Sequence, residues 1–348
     1  MMGPEPQPPR RSLSIHDYVS GIQAGDRAVL ARAITLVESQ LLDDRQMAQS
    51  VLHQILPSTG GSNRVGVSGV PGVGKSTFIE TLGLQLVSRE MKVAVLAVDP
   101  SSSVSGGSIL GDKSRMPRLA ASPAAFIRPS PNALTLGGVG RRTRESMLLC
   151  EAAGYDVILI ETVGVGQSET MVADMVDTFL VLLLAGAGDE LQGIKKGILE
   201  LADLLAINKT DGENEGLART AQQDYQAALR YLPSRSPVWK TSVLAVSGRT
   251  GDGIETLWQE ALRHRSIMQG SGEFETRRRR QNRGWMWSLI DERIKERFLA
   301  DLRVQERLPE LERRVLEGSL SSTGAAEELL NLVSDSEPDP IDSDRSSR

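Results

Sequence analysis

A glycine-rich stretch, GVPGVGKST at residues 69–77, has the residue types and spacing of a phosphate-binding loop. It matches G-x-x-x-x-G-K-[ST] without a mismatch, and it lies between an apolar run and a helical pattern. Glycines let backbone N–H groups turn toward phosphate oxygens, and the following helix adds the positive end of its dipole. We expect the lysine to reach the β- and γ-phosphates of a nucleoside triphosphate and the serine hydroxyl to contact Mg²⁺. The predicted phosphate-site residues are Gly69, Val70, Pro71, Gly72, Val73, Gly74, Lys75, Ser76 and Thr77.

A second pattern, NKTD at residues 208–211, predicts which base is bound. A carboxylate in the plane of the base accepts from both N1–H and N2–H₂ of guanine. Adenine has no donor at these positions and would leave the Asp211 carboxylate unpaired. The alternative interpretation of the four residues is a turn with a helix-capping aspartate. The predicted base-site residues are Asn208, Lys209, Asp211, Ser247 and Gly248, the last two through a backbone N–H to guanine O6.

Three carboxylates follow strand patterns and are expected near the phosphates. Glu161 ends the apolar run at 156–160, Asp99 follows the run at 93–98, and Asp112 lies in a short polar segment. Mg²⁺ takes few direct protein ligands and keeps waters, so we expect Asp112 to bind it directly and the other two through water. We expect the Gly164 N–H to meet the γ-phosphate. The predicted metal ligands are Ser76, Asp99, Asp112 and Glu161, and the predicted catalytic residues include Lys75 and Glu161.

One position predicts the rate of hydrolysis. Ras-like hydrolases place glutamine directly after the glycine of the second switch, where it orients the attacking water. This chain has Val165 at that position. We therefore expect slow intrinsic hydrolysis that a partner or a rearranging loop accelerates.

Elements that could position these residues alternate along the middle of the chain. Short runs rich in valine, isoleucine and leucine are separated by helical patterns, which predicts an α/β fold with a mainly parallel sheet covered by helices on both faces. The fold class is therefore a P-loop NTPase domain with helical additions at both ends. The predicted segments are a disordered N-terminus at 1–13, a helical extension at 14–62, a P-loop GTPase domain at 63–268, a helical arm at 269–333 and a disordered acidic tail at 334–348.

Composition excludes several function classes. The net charge is −5 and aromatic residues are 4% of 348, which predicts neither nucleic-acid nor membrane binding. The single cysteine, Cys150, and three widely separated histidines give no disulfide framework and no thiolate or histidine metal site. The N-terminus has no apolar signal region, and the apolar runs are too short to span a membrane. We expect a cytoplasmic protein.

Longer motifs resemble a known family. VDPSSS at 98–103, LGDK at 110–113 and ETVGVGQS at 161–168, together with the phosphate loop and NKTD, are similar to the MeaB-type GTPases, also called ArgK-like. The resemblance covers about residues 14–305. Gly248 is a departure, since the family more often has alanine there.

The resemblance implies a G domain of the signal-recognition-particle and MinD-like class, a C-terminal dimerisation arm and a homodimer. It also implies a GTP-hydrolysing chaperone of an adenosylcobalamin-dependent acyl-CoA mutase, of the methylmalonyl-CoA mutase type, that gates cofactor loading and protects or reactivates the mutase. The segment at 184–196 corresponds to a switch that responds to the partner. Lys195 in this segment is carried over as the activating, catalytic residue.

The C-terminal arm has large apolar residues on a charged helical pattern, among them Trp285, Leu289, Phe298 and Leu302. In a monomer they would cover the nucleotide-binding domain, and in a dimer they would contact a second chain. The resemblance favours the dimer. The run at 277–280, four arginines, is expected to be a solvated charged face.

Other functions remain open at this point. The ArgK label suggests a kinase of a transport-binding protein, but no pattern for a catalytic base beside an acceptor is found. A nickel-insertion GTPase would need cysteine and histidine ligands, which this chain lacks. A pure binding module would not need three carboxylates near the phosphates. The sequence does not identify the mutase.

Overall fold

The computed structural model describes residues 13–98, 115–129, 136–162, 168–185 and 196–334. The chain divides into two compact units, Met1–Gln281 and Asn282–Arg348. None of the described helices has the length and apolarity that a membrane span requires. The five segments expected from the sequence remain a prediction.

The first unit is built on a seven-stranded sheet in which every pairing between neighbours is parallel. The strand order is β3-β2-β4-β1-β5-β6-β7. Most strand residues are buried, as expected for apolar runs with helices on both faces. The parallel α/β fold expected from the sequence is confirmed. The strands are β1 (Asn63–Gly69), β2 (Val93–Val98), β3 (Ala125–Arg128), β4 (Val157–Thr162), β5 (Thr178–Leu184), β6 (Leu204–Asn208) and β7 (Ser242–Ala245).

Helices of the first unit enclose two apolar cores, one on each side of the sheet. The first three helices pack against one another and against α6, so they extend one of these cores. Ser14 and Asp17 form a capping box at the start of α1, and the Asp26 side chain caps α2. The helices are α1 (Ile15–Gln23), α2 (Arg27–Glu38), α3 (Leu42–Ile55), α4 (Lys75–Val87), α5 (Pro117–Ala120), α6 (Leu136–Ala152), α7 (Ser168–Ala173), α8 (Lys196–Leu201), α9 (Glu215–Leu229) and α10 (Ile254–Gly270).

A long helix, α11 (Glu273–Ala300), begins in the first unit and continues into the second. The second unit also contains α12 (Leu302–Leu316) and α13 (Ser322–Ser334). These two helices pack through a small core that includes Val304, Leu311 and Leu329.

Buried charges lie at the amino-terminal edge of the sheet. Asp203, directly before β6, is 1% exposed. Its carboxylate accepts the Phe179 N–H at 2.9 Å and guanidinium bonds from Arg277 at 3.0–3.2 Å. Nε2 of His264 lies 3.6 Å from the same carboxylate. Burial lowers the pKa of His264, although Asp203 opposes this shift.

Asp177, directly before β5, repeats this arrangement. It accepts the Arg64 N–H at 3.1 Å and two guanidinium bonds from Arg278 at 2.7 and 2.8 Å. Arg64 also forms a buried ion pair with Glu151 at 2.7 Å. The expectation that residues 277–280 form a solvated face is therefore wrong for Arg277 and Arg278. Two carboxylates that directly precede strands bind these arginines and fix the start of α11.

We expect Asp203→Asn to lower the free energy of unfolding by about 3 kcal/mol. The amide keeps the shape of the side chain but leaves the buried Arg277 without its counter-charge. Urea unfolding would measure the loss. Asp224→Asn, a change at an exposed position of α9, is the matched control. An equal loss in the two variants would contradict the role assigned to the buried charge.

Candidate nucleotide-binding site

The phosphate loop connects the carboxyl end of β1 to the start of α4, as the sequence pattern predicts. Two glycines in it are required by the geometry. Gly69 has φ +150°, and a Cβ there would lie 2.5 Å from the carbonyl oxygen of Leu182. Gly74 has φ +95°, and a Cβ there would lie 2.9 Å from Nδ2 of Asn208. Any other residue would push the loop away from β5 or from the base-site loop.

Lys75 is the buried cation of this loop, 8% exposed. Its Nζ donates to the carbonyl oxygens of Gly69 at 2.7 Å and Val70 at 3.3 Å. Burial lowers the pKa of Lys75, and the charges of Glu161 and Glu169 oppose that shift. Phosphate oxygens would supply the negative charge that two neutral carbonyl groups do not. Around it, Val73 is fully buried, whereas Pro71, Gly72 and Thr77 are exposed.

Ser76 and Glu161 come together beside the lysine. The Ser76 hydroxyl donates to Oε1 of Glu161 at 2.9 Å. A hydroxyl and a carboxylate in contact are hard oxygen donors of the kind that Mg²⁺ prefers, so these two residues fit the predicted metal. No cluster of three or more acidic, histidine or cysteine ligands is found within the described ranges. Asp99, Asp112, Gly164 and Lys195 lie outside the described residues.

Asn208 links three loops at the carboxyl edge of the sheet. It ends β6 and is 2% exposed. Its Nδ2 donates to the carbonyl oxygen of Val73 in the phosphate loop at 2.8 Å, and its Oδ1 accepts the Gly248 N–H at 2.9 Å. Asn208, which the sequence predicts as a base-site residue, therefore braces the loops around the site. The Gly248 N–H, predicted to meet guanine O6, is directed to Asn208 in this structure.

The other base-site residues lie around the same loop. Lys209 has φ +60°, an unusual conformation for a lysine, and its Nζ reaches across to the Gly72 carbonyl oxygen at 2.7 Å. The Ser247 hydroxyl donates to Oδ1 of Asp211 at 2.8 Å, which orients the carboxylate. A Cβ at Gly248 would lie 3.1 Å from the Phe78 backbone, so glycine relieves a close contact with α4.

Two features of the site were not predicted from the sequence. Glu169, in the first turn of α7, is fully buried, and its charge acts on Lys75. The Thr162 hydroxyl donates to Oγ of Ser68 at 2.9 Å, so β4 and β1 are joined by a buried bond one residue after Glu161 and one residue before the phosphate loop. The only sign of these two features in the sequence is that their residues lie next to motifs, Glu169 after the stretch at 161–168 and Ser68 before the phosphate loop.

We expect Asn208→Ala to weaken binding of guanosine diphosphate at least tenfold and to lower the free energy of unfolding by about 2 kcal/mol. The substitution leaves a buried carbonyl oxygen and a buried N–H without partners. Isothermal titration and urea unfolding would measure the two losses. Asn214→Ala, at an exposed position that makes no side-chain cap bond, is the control. Wild-type affinity in Asn208→Ala would contradict the bracing role.

The chain is similar to known proteins in sequence and in structure. A probable GTPase of Mycobacterium tuberculosis is 52% identical over 320 residues, which are 92% of this chain and 95% of the relative. The methylmalonic aciduria type A homolog, mitochondrial, of Mus musculus is 49% identical over 321 residues, 89% of this chain and 77% of the relative. A crystal structure of an LAO/AO transport system kinase is 37% identical, with a TM-score of 0.73 and coverage of 92% of this chain and 97% of that one.

The family model described as methylmalonyl-CoA mutase-associated GTPase MeaB matches residues 30–303. This range contains the phosphate loop, Glu161 and the complete base-site loop. A P-loop fold, a loop with the guanine-reading pattern and relatives named as GTPases agree with one another. The chain is a GTPase and belongs to the MeaB family.

Proposed function

We propose that this GTPase is a chaperone of an adenosylcobalamin-dependent acyl-CoA mutase, of the methylmalonyl-CoA mutase type. It would gate cofactor loading and protect or reactivate the mutase. The observation that carries the proposal is the extent of the family match. Residues 30–303 include most of α2, all of α3 and all of α11. In the part of the chain that the structure describes, these helices contribute no residue to the nucleotide site. The family match over them therefore indicates a function in addition to nucleotide binding. The name of the mouse relative agrees with this proposal.

The proposed chemistry assigns each residue one task. Lys75 exchanges its bonds to loop carbonyl groups for bonds to the β- and γ-phosphates and stabilises negative charge as the terminal phosphate leaves. Asp211, oriented by Ser247, selects guanine. Ser76 and Asp112 would bind Mg²⁺ directly and Glu161 and Asp99 would bind it through water, and the ion would supply charge neutralisation. Gly164 is proposed to contact the γ-phosphate through its N–H.

The partner-dependent part of the proposal rests on the resemblance to the family. Lys195 is proposed as the residue that activates hydrolysis when the mutase binds. The helices of the second unit are proposed as a dimerisation arm, since Ile294 and Leu302 are 62% and 72% exposed. A cytoplasmic location is part of the proposal, because one buried free cysteine is typical of proteins from reducing compartments.

The alternative function is a kinase of a transport-binding protein, as the description of the 37% identical structure suggests. Such a kinase needs a carboxylate that accepts the proton of the acceptor group. Glu161 already accepts the Ser76 hydroxyl, and it fits a metal-binding role better. Among the described residues, the geometry therefore favours hydrolysis.

We expect Asp211→Asn to lose affinity for GDP by at least about a hundredfold and to gain affinity for xanthosine diphosphate. The amide places a donor where the carboxylate accepts, and xanthine has a carbonyl oxygen in place of the guanine amino group. Titration with the two nucleotides would measure the exchange. Asp224→Asn serves as the control. If Asp211→Asn binds both nucleotides as the wild type does, Asp211 does not read the base.

We expect GTP hydrolysis by the protein alone to be slower than about 1 s⁻¹ and to rise about tenfold or more with the correct mutase, since a residue positioned by a partner can stabilise the transferring phosphate. Lys75→Ala should abolish both rates, and Lys195→Ala should lower the stimulated rate. An unchanged rate with every adenosylcobalamin-dependent acyl-CoA mutase of the same organism would remove the proposed partner. A phosphotransfer assay with a transport-binding protein would then test the kinase alternative.

A further inference from the structure

The two short helices α7 and α8 end at the same side chain. Arg235, in the segment between α9 and β7, donates from Nη2 to the carbonyl oxygen of Ala173 at 2.8 Å and from Nη1 to that of Leu201 at 3.1 Å. Ala173 is the last residue of α7, and Leu201 is the last residue of α8. Carbonyl groups at the carboxyl end of a helix lack partners within the helix, and a cation there also complements the helix dipole. One guanidinium group therefore joins the ends of both helices.

Arg235 is itself held in place. Its side chain is 18% exposed, and Nη1 lies 3.4 Å from Oδ2 of the buried Asp203. Two other side chains of the same segment bind the residues after α8, since Thr241 donates to the Ala202 carbonyl oxygen and Trp239 to that of Asp203, both at 2.8 Å. Three successive carbonyl groups at the end of α8 therefore accept from one segment. Among the described residues of that segment, Arg235 is the one whose side chain also bonds to α7.

The helix α7 fits closely against its neighbours. A Cβ at Gly66 on β1 would lie 2.8 Å from Cγ1 of Val172, and a Cβ at Gly140 on α6 would lie 2.5 Å from Sδ of Met171. Val172 and Ala173 are fully buried in the core on this side of the sheet. Packing of this density does not absorb a displacement, so α7 has one defined position, and Arg235 fixes its carboxyl end.

The amino end of α7 acts on the phosphate site. The helix has six residues, and six residues of α-helix are about 9 Å long. Glu169 in its first turn is fully buried, and its negative charge opposes the burial that lowers the pKa of Lys75. The helix also follows closely after Gly164, whose N–H is expected at the γ-phosphate. A displacement at the end that Arg235 holds would therefore change the charges around the phosphate-binding lysine.

We propose that Arg235 is a positioning residue for GTP hydrolysis, which joins α7 to α8 and keeps Glu169 in the arrangement that hydrolysis requires. The two helices contact each other and end at one guanidinium group, so a displacement of α8 is transmitted to α7. Since α8 begins directly after Lys195, a partner that acted there would act on α7 as well. This last step rests on the proposed function, whereas the positioning role rests on GTPase activity alone.

The contrary role for Arg235 is neutralisation of the buried Asp203 carboxylate. In that case any cation of similar length would serve. Lysine keeps the positive charge, but its single nitrogen cannot replace a planar group that donates from Nη1 to α8 and from Nη2 to α7. Arg235→Lys therefore separates the two roles, because neutralisation predicts wild-type hydrolysis and joining predicts a loss.

The test measures single-turnover GTP hydrolysis, with protein in excess and without a partner, for the wild type, Arg235→Ala, Arg235→Lys and Thr241→Val. The last is the matched control, because it removes one bond to the end of α8 and leaves the link to α7. We expect both Arg235 variants to hydrolyse GTP about tenfold more slowly, since small misplacements of groups around the reacting atoms cost rate on this scale or more. Thr241→Val should match the wild type.

GDP affinity, measured by titration, separates positioning from general disruption of the site. We expect it to be unchanged in all variants, because the groups that Arg235 binds belong neither to the phosphate loop nor to the base-site loops. Wild-type hydrolysis by Arg235→Lys would overturn the proposal, as would an equal loss of rate in Thr241→Val or a parallel loss of GDP affinity. If Arg235→Ala fails to fold, Arg235→Lys carries the test.

A second measurement tests the transmission from α8 to α7. With a mutase that accelerates hydrolysis by the wild type, the acceleration should be smaller in Arg235→Lys than in Thr241→Val, and equal acceleration in the two variants would overturn the transmission step. If no mutase accelerates the wild type, the proposed partner is removed. The comparison of rates without a partner then still decides the positioning role.

Discussion

The carboxamide of Asn208 is the interaction on which the nucleotide site depends. A side chain with one donor and one acceptor held in a fixed plane satisfies the Val73 carbonyl oxygen and the Gly248 N–H at once. Those two groups belong to loops that follow β1 and β7, which are separated in the sheet by β5 and β6. Since the site is buried there, either group left unpaired would cost free energy that no water recovers. The distance between the phosphate loop and the base-reading loop is thereby set by one residue.

The two edges of the sheet use buried charge in different ways. At the amino edge, Asp177 and Asp203 are matched by Arg278 and Arg277, so the charges are paired within the protein and serve to fix α11. At the carboxyl edge, Lys75 is buried against neutral carbonyl groups, and burial lowers its pKa. A charge that is hydrogen-bonded to an opposite charge within the protein resists ligands, whereas a buried cation whose hydrogen bonds go to neutral carbonyl groups favours an anionic ligand. The contrast indicates which edge is structural and which is functional.

Features that neighbouring residues determine could be predicted from the sequence, whereas contacts between residues far apart in the chain could not. The apolar runs predicted a parallel sheet, because strands buried on both faces have a composition that no exposed segment shares. The phosphate loop was readable because its turn is imposed by Gly69 and Gly74 themselves. By contrast, β3 is only four residues long, too short for its composition to indicate a strand. The partners of Arg277 and Arg278 lie 74 and 101 residues away, so a run of arginines gave no sign that half of it would be buried. The use of the Gly248 N–H by Asn208 was hidden for the same reason.

The strand order places the loops that recognise the base apart from the loop that binds the phosphates. In the sheet, β1 carries the phosphate loop and lies between β4 and β5. The family resemblance implies a switch at 184–196, which begins at the end of β5, and the sequence predicts another switch around Glu161 and Gly164, which begins at the end of β4. The base-reading loops follow β6 and β7, on the far side of β5. A partner that acted at the carboxyl ends of β4 or β5 would therefore act on the two strands that flank the strand of the phosphate loop. The Asn208 brace and the Ser247–Asp211 bond would keep the base site unchanged. Such an arrangement lets the rate of hydrolysis change while guanine recognition stays constant, which is what a GTPase controlled by a partner requires.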